Sequence, residues 1–107
     1  SFGSPLKVGD ELKKTFDILY NLRVVLHDDQ YPDTIEIIDY LPNNNLYVTN
    51  SATINGRSIK PKFEPNTLIW SFVPERGERV FDIEYICEIS ETTTLEKDFN
   101  KTRINLK

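Results

Sequence analysis

The chain has little of what several functional classes require. One cysteine in 107 residues permits no internal disulfide and no cysteine-based zinc site. The 13 lysine and arginine residues are scattered and outnumbered by 17 acidic ones, which gives a net charge of −4 and no basic stripe for nucleic acid. There is no apolar run of about 18 residues and no charged-then-apolar leader. We therefore expect no nucleic-acid partner and no direct membrane insertion, and if the protein is secreted, we expect the signal upstream in a longer parent.

What is present suffices for one folded domain. A mass of 12.5 kDa is typical of a single domain, and 38% hydrophobic residues, with 6 Phe, 5 Tyr and 1 Trp, can form a core. We expect one domain over residues 1–107, with a core spanning roughly 8–106. The sequence holds no Gly-rich phosphate loop and no zinc-ligand spacing, so we expect no cofactor.

Alternation of apolar and polar residues is the main structural signal. In the segment 12–22, Leu12, Phe16 and Ile18 share one face with Lys14, which predicts a half-buried strand. A helix over 10–26 is the alternative, but β-branched and aromatic residues favour the strand. Similar short segments recur with turn residues between them, among which Asn55-Gly56 is the strongest hairpin signal. The pattern predicts an all-β sandwich of six to eight strands, with Trp70 at its centre.

The middle of the chain carries a recognisable motif. Asp39-Tyr40-Leu41-Pro42 is followed by Leu46-Tyr47-Val48 and then by the run Ser-Ala-Thr-Ile-Asn-Gly at 51–56. This order resembles the immunoglobulin-like conserved repeat of bacterial surface proteins that is called domain of unknown function eleven. Further pieces fall in the expected order: Gly9-Asp10, Leu68-Ile69-Trp70, Pro74 through Glu78, and Asn100. In that family a link of small residues follows the first strand, where this sequence has the acidic loop 27–33.

The resemblance implies a fold, a location and a role. The expected fold is an immunoglobulin-like antiparallel β-sandwich of about seven strands. The expected location is extracellular, either secreted or associated with the cell wall of a bacterium. The expected role is that of a structural or adhesive module, often repeated in tandem, whose partners are neighbouring domains of the parent chain and possible host or cell-surface proteins or glycans.

Catalysis is not expected from the residues available. The only histidine, His27, lies in a polar loop, whereas Cys87 lies on the inward face of an alternating strand. No nucleophile can therefore be paired with a base, and Cys87 is interpreted as a buried structural thiol. The sequence predicts a protein that is not an enzyme.

Two groups of loop residues are candidate ligand contacts. Tyr31, Tyr40 and Tyr47 flank turns, where they could stack on a sugar ring or anchor a protein partner; packing beneath loops is the alternative. The carboxylates of Asp28, Asp29 and Asp33 cluster in one loop, and such a cluster is a candidate calcium site. Their spacing matches no EF-hand, and the alternative is a solvated acidic loop.

A third candidate is an internal Lys–Asn isopeptide crosslink of the kind known in similar Gram-positive pilin and adhesin domains. That chemistry needs a lysine on an early strand, an asparagine on the last strand and a buried carboxylic acid. The residues with suitable positions are Lys14, Glu36 or Asp39, and Asn100 or Asn105. The alternative is that Lys14 reaches solvent at a strand edge and the others lie on the surface, because alternation places Glu36 opposite Ile35 and Ile37.

Overall fold

The computed structural model describes residues 15–90 and 101–107, which form β-strands and connecting turns without a helix. The strands within these ranges are β1 Thr15–Val25, β2 Ile35–Tyr40, β3 Asn45–Tyr47, β4 Thr53–Ile54, β5 Arg57–Ser58, β6 Lys62–Glu64, β7 Thr67–Phe72, β8 Val80–Ser90 and β9 Lys101–Leu106. The predicted all-β antiparallel sandwich is thus confirmed. The described residues hold nine strands rather than about seven, and four of them, β3 to β6, are only two or three residues long.

Two antiparallel sheets make up the sandwich. In the first sheet β8 is central: β1 pairs along one edge, while β3 and β4 pair with successive parts of the other edge, and β5 follows β4. In the second sheet the order is β6, β7, β2, β9. The two long strands are in register over their whole length, from Thr15 opposite Ser90 to Val25 opposite Val80. The first described strand therefore pairs with the penultimate one, and the last pairs with the second.

The core lies between the two sheets and follows the alternation of the sequence. Trp70 of β7 is fully buried, as predicted, and its ring lies 5.3 Å from that of Tyr85 of β8. Phe72 and Phe81 make a second ring contact between the sheets at 5.2 Å. The largest fully buried side chains are Trp70, Tyr85, Phe81, Ile35, Ile37, Leu68, Ile83, Ile89 and Cys87. Burying each aliphatic side chain stabilises the fold by about 1.5–3 kcal/mol before the entropy cost of ordering the chain.

The turns obey backbone chemistry. Asn55 and Gly56 both have positive φ, 48° and 83°, as the predicted type I′ hairpin between β4 and β5 requires. Pro61 and Pro65 flank a segment that two such prolines would usually mark as a loop, but Lys62–Glu64 forms an edge strand on β7. The turn from β6 to β7 consists of Pro65 and Asn66. The ring of Pro65 fixes its φ at about −65°, and Asn66 has a φ of 62°, a combination typical of a type II turn.

The start of β1 and the end of β9 lie at opposite ends of the sandwich. β1 begins opposite Ser90 and ends opposite Val80, where the loop 26–34 leads to the start of β2. β9 runs antiparallel to β2 and finishes beside that same loop, where the Lys107 N–H donates to the Thr34 carbonyl at 2.9 Å. The first described strand therefore begins at one end of the sandwich, and β9 finishes at the other.

Candidate functional site

A cleft of about 730 Å³ opens at the end of the sandwich where β9 leaves. One wall is the loop 26–34 after β1, which contributes Asp28, Tyr31 and Asp33, and the other is the loop 73–79 before β8, which contributes Glu75, Arg76 and Arg79. The two loops meet because Val25 and Val80 are paired at the end of the β1–β8 ladder. We call the space between these two loops, together with the residues that line it, the end cleft.

Arg79 joins the two walls of the end cleft. Its Nη2 donates a hydrogen bond to the carbonyl oxygen of His27, and its guanidinium carbon lies 4.9 Å from the centre of the Tyr31 ring. The Leu26 N–H donates to the Arg79 carbonyl at 2.8 Å. A guanidinium over an aromatic face is a favourable cation–π contact, so Arg79 positions the Tyr31 ring while leaving that residue 79% exposed.

The wall before β8 is fixed by Glu78. Its Oε1 accepts the Glu75 N–H at 3.0 Å, and its Oε2 accepts Asn55 Nδ2 at 2.7 Å and Arg57 Nη2 at 3.1 Å. Burial by itself raises the pKa of the Glu78 carboxyl, but these hydrogen bonds and the charge of Arg57 outweigh burial and lower the pKa below its ordinary value. The loop 73–79 is therefore tied to the β4–β5 hairpin by a charged side chain.

The wall after β1 is held by backbone hydrogen bonds and by the side chain of Gln30. The Gln30 N–H donates to the His27 carbonyl at 3.0 Å, and Gln30 Oε1 accepts the His27 N–H at 2.8 Å. At the far end of the loop, the N–H groups of Asp33 and Thr34 both donate to the Lys107 carbonyl, at 2.8 Å and 3.1 Å. Both walls of the end cleft are thus ordered by contacts within the protein.

The structure separates the three tyrosines predicted as ligand contacts. Tyr31 lines the end cleft, whereas Tyr40 ends β2 at the opposite end of the sandwich and is 42% exposed. Tyr47 is half-buried, and its ring packs 5.8 Å from Phe63 and 6.5 Å from Trp70. Only Tyr31 combines an exposed ring with the acidic loop, as the ligand-binding interpretation requires.

The acidic loop does not form a metal-binding group. Asp28 and Asp33 both line the end cleft. Among residues 15–90 and 101–107, however, no three His, Cys, Asp or Glu side chains come close enough together to hold a metal ion. The two cleft aspartates, together with Asp29, are thus better described as carboxylates of a solvated loop.

The residues of the predicted crosslink are only partly described, since Lys14 and Asn100 lie outside the described residues. Glu36 faces outward and accepts a hydrogen bond from Asn105 Nδ2 at 3.0 Å, and this bond is the main cause of the lowered pKa of its carboxyl. Asp39, in contrast, is buried in the core at 2% exposure. The crosslink stays a prediction, and of its two candidate acids Asp39 has the burial that the chemistry needs.

Asp39 belongs to a polar cluster inside the sandwich. The Tyr85 hydroxyl donates to Asp39 Oδ2, and Thr102 Oγ1 lies 3.4 Å from Asp39 Oδ1. Nearby, the Tyr20 hydroxyl donates to Asn45 Oδ1 at 2.6 Å. Burial, together with the negative charge of Asp39, raises the pKa of the Cys87 thiol to about 12, so that this thiol is protonated at neutral pH and is a poor nucleophile.

The second wall of the end cleft is what the sequence did not reveal. Residues 74–78 approach loop 26–34 only because β1 pairs with β8, which brings together two segments that lie far apart in the sequence. The sequence signal that could have indicated this pairing is the similar length of the two alternating segments that form β1 and β8. Arg79, which joins the walls, carried no signal of its own.

Comparison with family models, with curated proteins and with solved structures finds no match for this chain. The described part of the chain contains no helix long and apolar enough to cross a membrane. The resemblance to the bacterial surface repeat thus stays a prediction, and the geometry of the sandwich is what bears on function.

Proposed function

We propose that this chain is a non-catalytic β-sandwich module of a bacterial secreted or cell-surface protein, which holds neighbouring domains apart in an extended arrangement. The observation that carries this proposal is that β1 enters at one end of the sandwich and β9 leaves at the other. Domains attached before and after such a module extend in opposite directions. The motif at 39–56 supports an extracellular or cell-wall location by its resemblance to surface repeats.

The pairing of the long strands suits a load-bearing module. A force along the axis between Thr15 and Lys107 is directed along β1, whereas the hydrogen bonds of its ladder with β8 are perpendicular to the strands. Such a force loads in shear the six β2–β9 pairs, which take the force from Lys107, and all eleven β1–β8 pairs from Thr15–Ser90 to Val25–Val80, instead of opening the pairs one after another. Cross-strand contacts on the outer face add to this ladder, including Arg23 Nε to Asp82 Oδ1 at 2.7 Å.

Single-molecule force spectroscopy tests the proposal. Handles are attached through Thr15→Cys with Lys107→Cys, which shears the ladder, or through Thr15→Cys with Ser90→Cys, which unzips it from one end. We expect the first geometry to need a clearly higher unfolding force than the second. Equal unfolding forces in the two geometries would argue against a load-bearing spacer.

Ligand binding at the end cleft is a second candidate function. The specific observation that favours it is the exposed ring of Tyr31, fixed by Arg79 between two ordered loops. Rigid loops at one end of a β-sandwich are a common place for recognition sites. The two functions are compatible, because a spacer module can also present a site.

A further inference from the structure

We propose that the end cleft binds a saccharide that carries no acidic group, at the scale of a disaccharide. This inference rests on the second candidate function and names its ligand class. The cleft volume of about 730 Å³ lies within the range of about 300–1,000 Å³ that is typical of small-molecule sites. Three features of the cleft favour such a ligand: an exposed ring, unused polar groups and the sign of its charge.

Tyr31 provides the apolar surface. Arg79 lies against its ring at 4.9 Å, yet Tyr31 remains 79% exposed, so ring surface is left for a ligand. A hexose ring has a face of C–H groups that can lie flat on such a surface. Because Arg79 and the loop bonds already order the ring, little conformational entropy is lost when a ligand stacks on it.

Four charged side chains provide the polar contacts. Asp28, Asp33, Glu75 and Arg76 line the cleft, and within the described ranges their side chains make no hydrogen bond or ion pair. Carboxylates accept hydrogen bonds and a guanidinium donates them. A sugar hydroxyl does both, so a polyol can satisfy all of these groups, whereas an apolar ligand would leave them unsatisfied.

The charge of the cleft decides which saccharides fit. Its lining carries the carboxylates of Asp28, Asp33, Glu75 and Glu78, against the two guanidinium groups of Arg76 and Arg79. Glu78 is already paired with Arg57, and Arg79 is already bonded to the His27 carbonyl. A bond to a neutral carbonyl does not cancel the charge of Arg79, so three carboxylates face the two guanidinium groups of Arg76 and Arg79. A uronic acid would therefore meet a net negative charge in a partly enclosed site.

NMR titration of the ¹⁵N-labelled protein tests the inference. The probes are neutral disaccharides (lactose, cellobiose, α-1,4-galactobiose and diacetylchitobiose) and α-1,4-digalacturonate, which matches galactobiose except for its carboxylates. We expect at least one neutral disaccharide to shift amide resonances of residues 27–33 and 74–79 at millimolar concentration, and digalacturonate to leave them unchanged. A third arm uses the basic peptide Lys-Gly-Lys.

Matched variants show whether Tyr31 provides the contact. Tyr31→Ala should weaken the binding of the active disaccharide by at least about fivefold, whereas Tyr31→Phe, which keeps the ring, should retain most of it. Tyr40→Ala removes an exposed tyrosine from the other end of the sandwich and should have no effect. The amide spectrum of each variant reports whether it is folded.

The possible outcomes separate the ligand class from the binding function. Shifts of the cleft amides by Lys-Gly-Lys or digalacturonate but by no neutral disaccharide would overturn the saccharide inference and leave a binding site in place. No shift by any probe would overturn both the inference and the binding function, without touching the spacer proposal. Equal affinity of Tyr31→Ala and the unchanged protein would also overturn the inference.

Discussion

Two groups of aromatic and acidic side chains, one in the core and one at the end cleft, use the same chemistry in opposite ways. In the core, Tyr85 and Asp39 are almost fully buried, and the tyrosine hydroxyl is hydrogen-bonded to the carboxylate. At the end cleft, Tyr31 is mostly exposed and Asp28 lines a cleft open to solvent. A buried polar pair is costly to disturb because its partners cannot turn to water, whereas an exposed one keeps its capacity for a ligand. Burial, rather than residue type, therefore separates the groups that hold this fold from those available for binding.

The largest difference in stability between the two regions should follow from truncating Trp70, at the centre of the core. Trp70→Ala removes a fully buried indole that contacts Tyr85 and Tyr47. We expect the free energy of unfolding to fall by about 3–5 kcal/mol, because such a substitution leaves a cavity. Urea denaturation followed by circular dichroism measures the change.

The matched control for this experiment is Tyr31→Ala, which also truncates an aromatic residue. Because Tyr31 is exposed, its truncation should change the unfolding free energy by less than about 1 kcal/mol, chiefly through the lost contact with Arg79. Equal losses in the two variants would contradict the assignment of Trp70 to the centre of the core.

Removing the hydroxyl of Tyr85 should cause the next largest loss of stability. Tyr85→Phe keeps the ring but removes the donor to Asp39 Oδ2, so the buried carboxylate loses a hydrogen bond. We expect a loss of about 1.5–3 kcal/mol in unfolding free energy, the range for hydrogen bonds to charged groups. Thermal and urea unfolding at pH 7 measure it. Tyr31→Phe removes the corresponding hydroxyl at the exposed ring and should stay within about 0.5 kcal/mol, so a similar loss in both variants would contradict the comparison.

The sequence predicted the strands better than the way they are combined. Period-two alternation placed Cys87 on the inward face of its strand, and Phe81, Ile83 and Tyr85 of the same strand, β8, are buried in the core with it. Positive φ at Asn55 and Gly56 is a local requirement, so that hairpin could also be predicted. The strand at Lys62–Glu64 was missed because two flanking prolines indicate a loop, although Pro65-Asn66 forms a tight return turn.

Only one wall of the end cleft could be predicted from the sequence. The acidic loop and Tyr31 were identified as candidates from their own residues. The second wall, including Arg79, comes from a segment about 50 residues away, which reaches Tyr31 only through the pairing of Val25 with Val80. Alternation specifies which face of a strand is buried but not which strand lies beside it, so neither the cleft nor the burial of Asp39 with Tyr85 could be derived from the sequence alone.

The smallest expected effect is a pH-dependent loss of stability when Glu78, which fixes the loop 73–79, is replaced. Hydrogen bonds from Glu75, Asn55 and Arg57 lower the pKa of the Glu78 carboxyl below its ordinary value of 4.5. A carboxyl whose pKa is lower in the folded protein contributes stability that is fully present above the unfolded pKa, and that is lost as the pH falls through the folded pKa. Glu78→Gln removes this contribution, so we expect the variant to be less stable by about 1 kcal/mol at pH 7 and close to the unchanged protein at a pH below the folded pKa.

Urea denaturation at a series of pH values between 7 and 2.5 measures whether the two stability curves converge on the acid side. The carboxyls of Glu36 and Asp82 also have lowered pKa values, but both remain in the variant, so their contributions cancel in the difference between the curves. Glu64→Gln, on an exposed residue of the edge strand β6, is the matched control and should follow the unchanged protein throughout. A constant gap between the Glu78→Gln curve and that of the unchanged protein at every pH would mean that Glu78 holds the loop through shape rather than charge. In that case the ordered wall of the end cleft would persist in acid, and the cleft would be as insensitive to pH as the apolar core around Trp70.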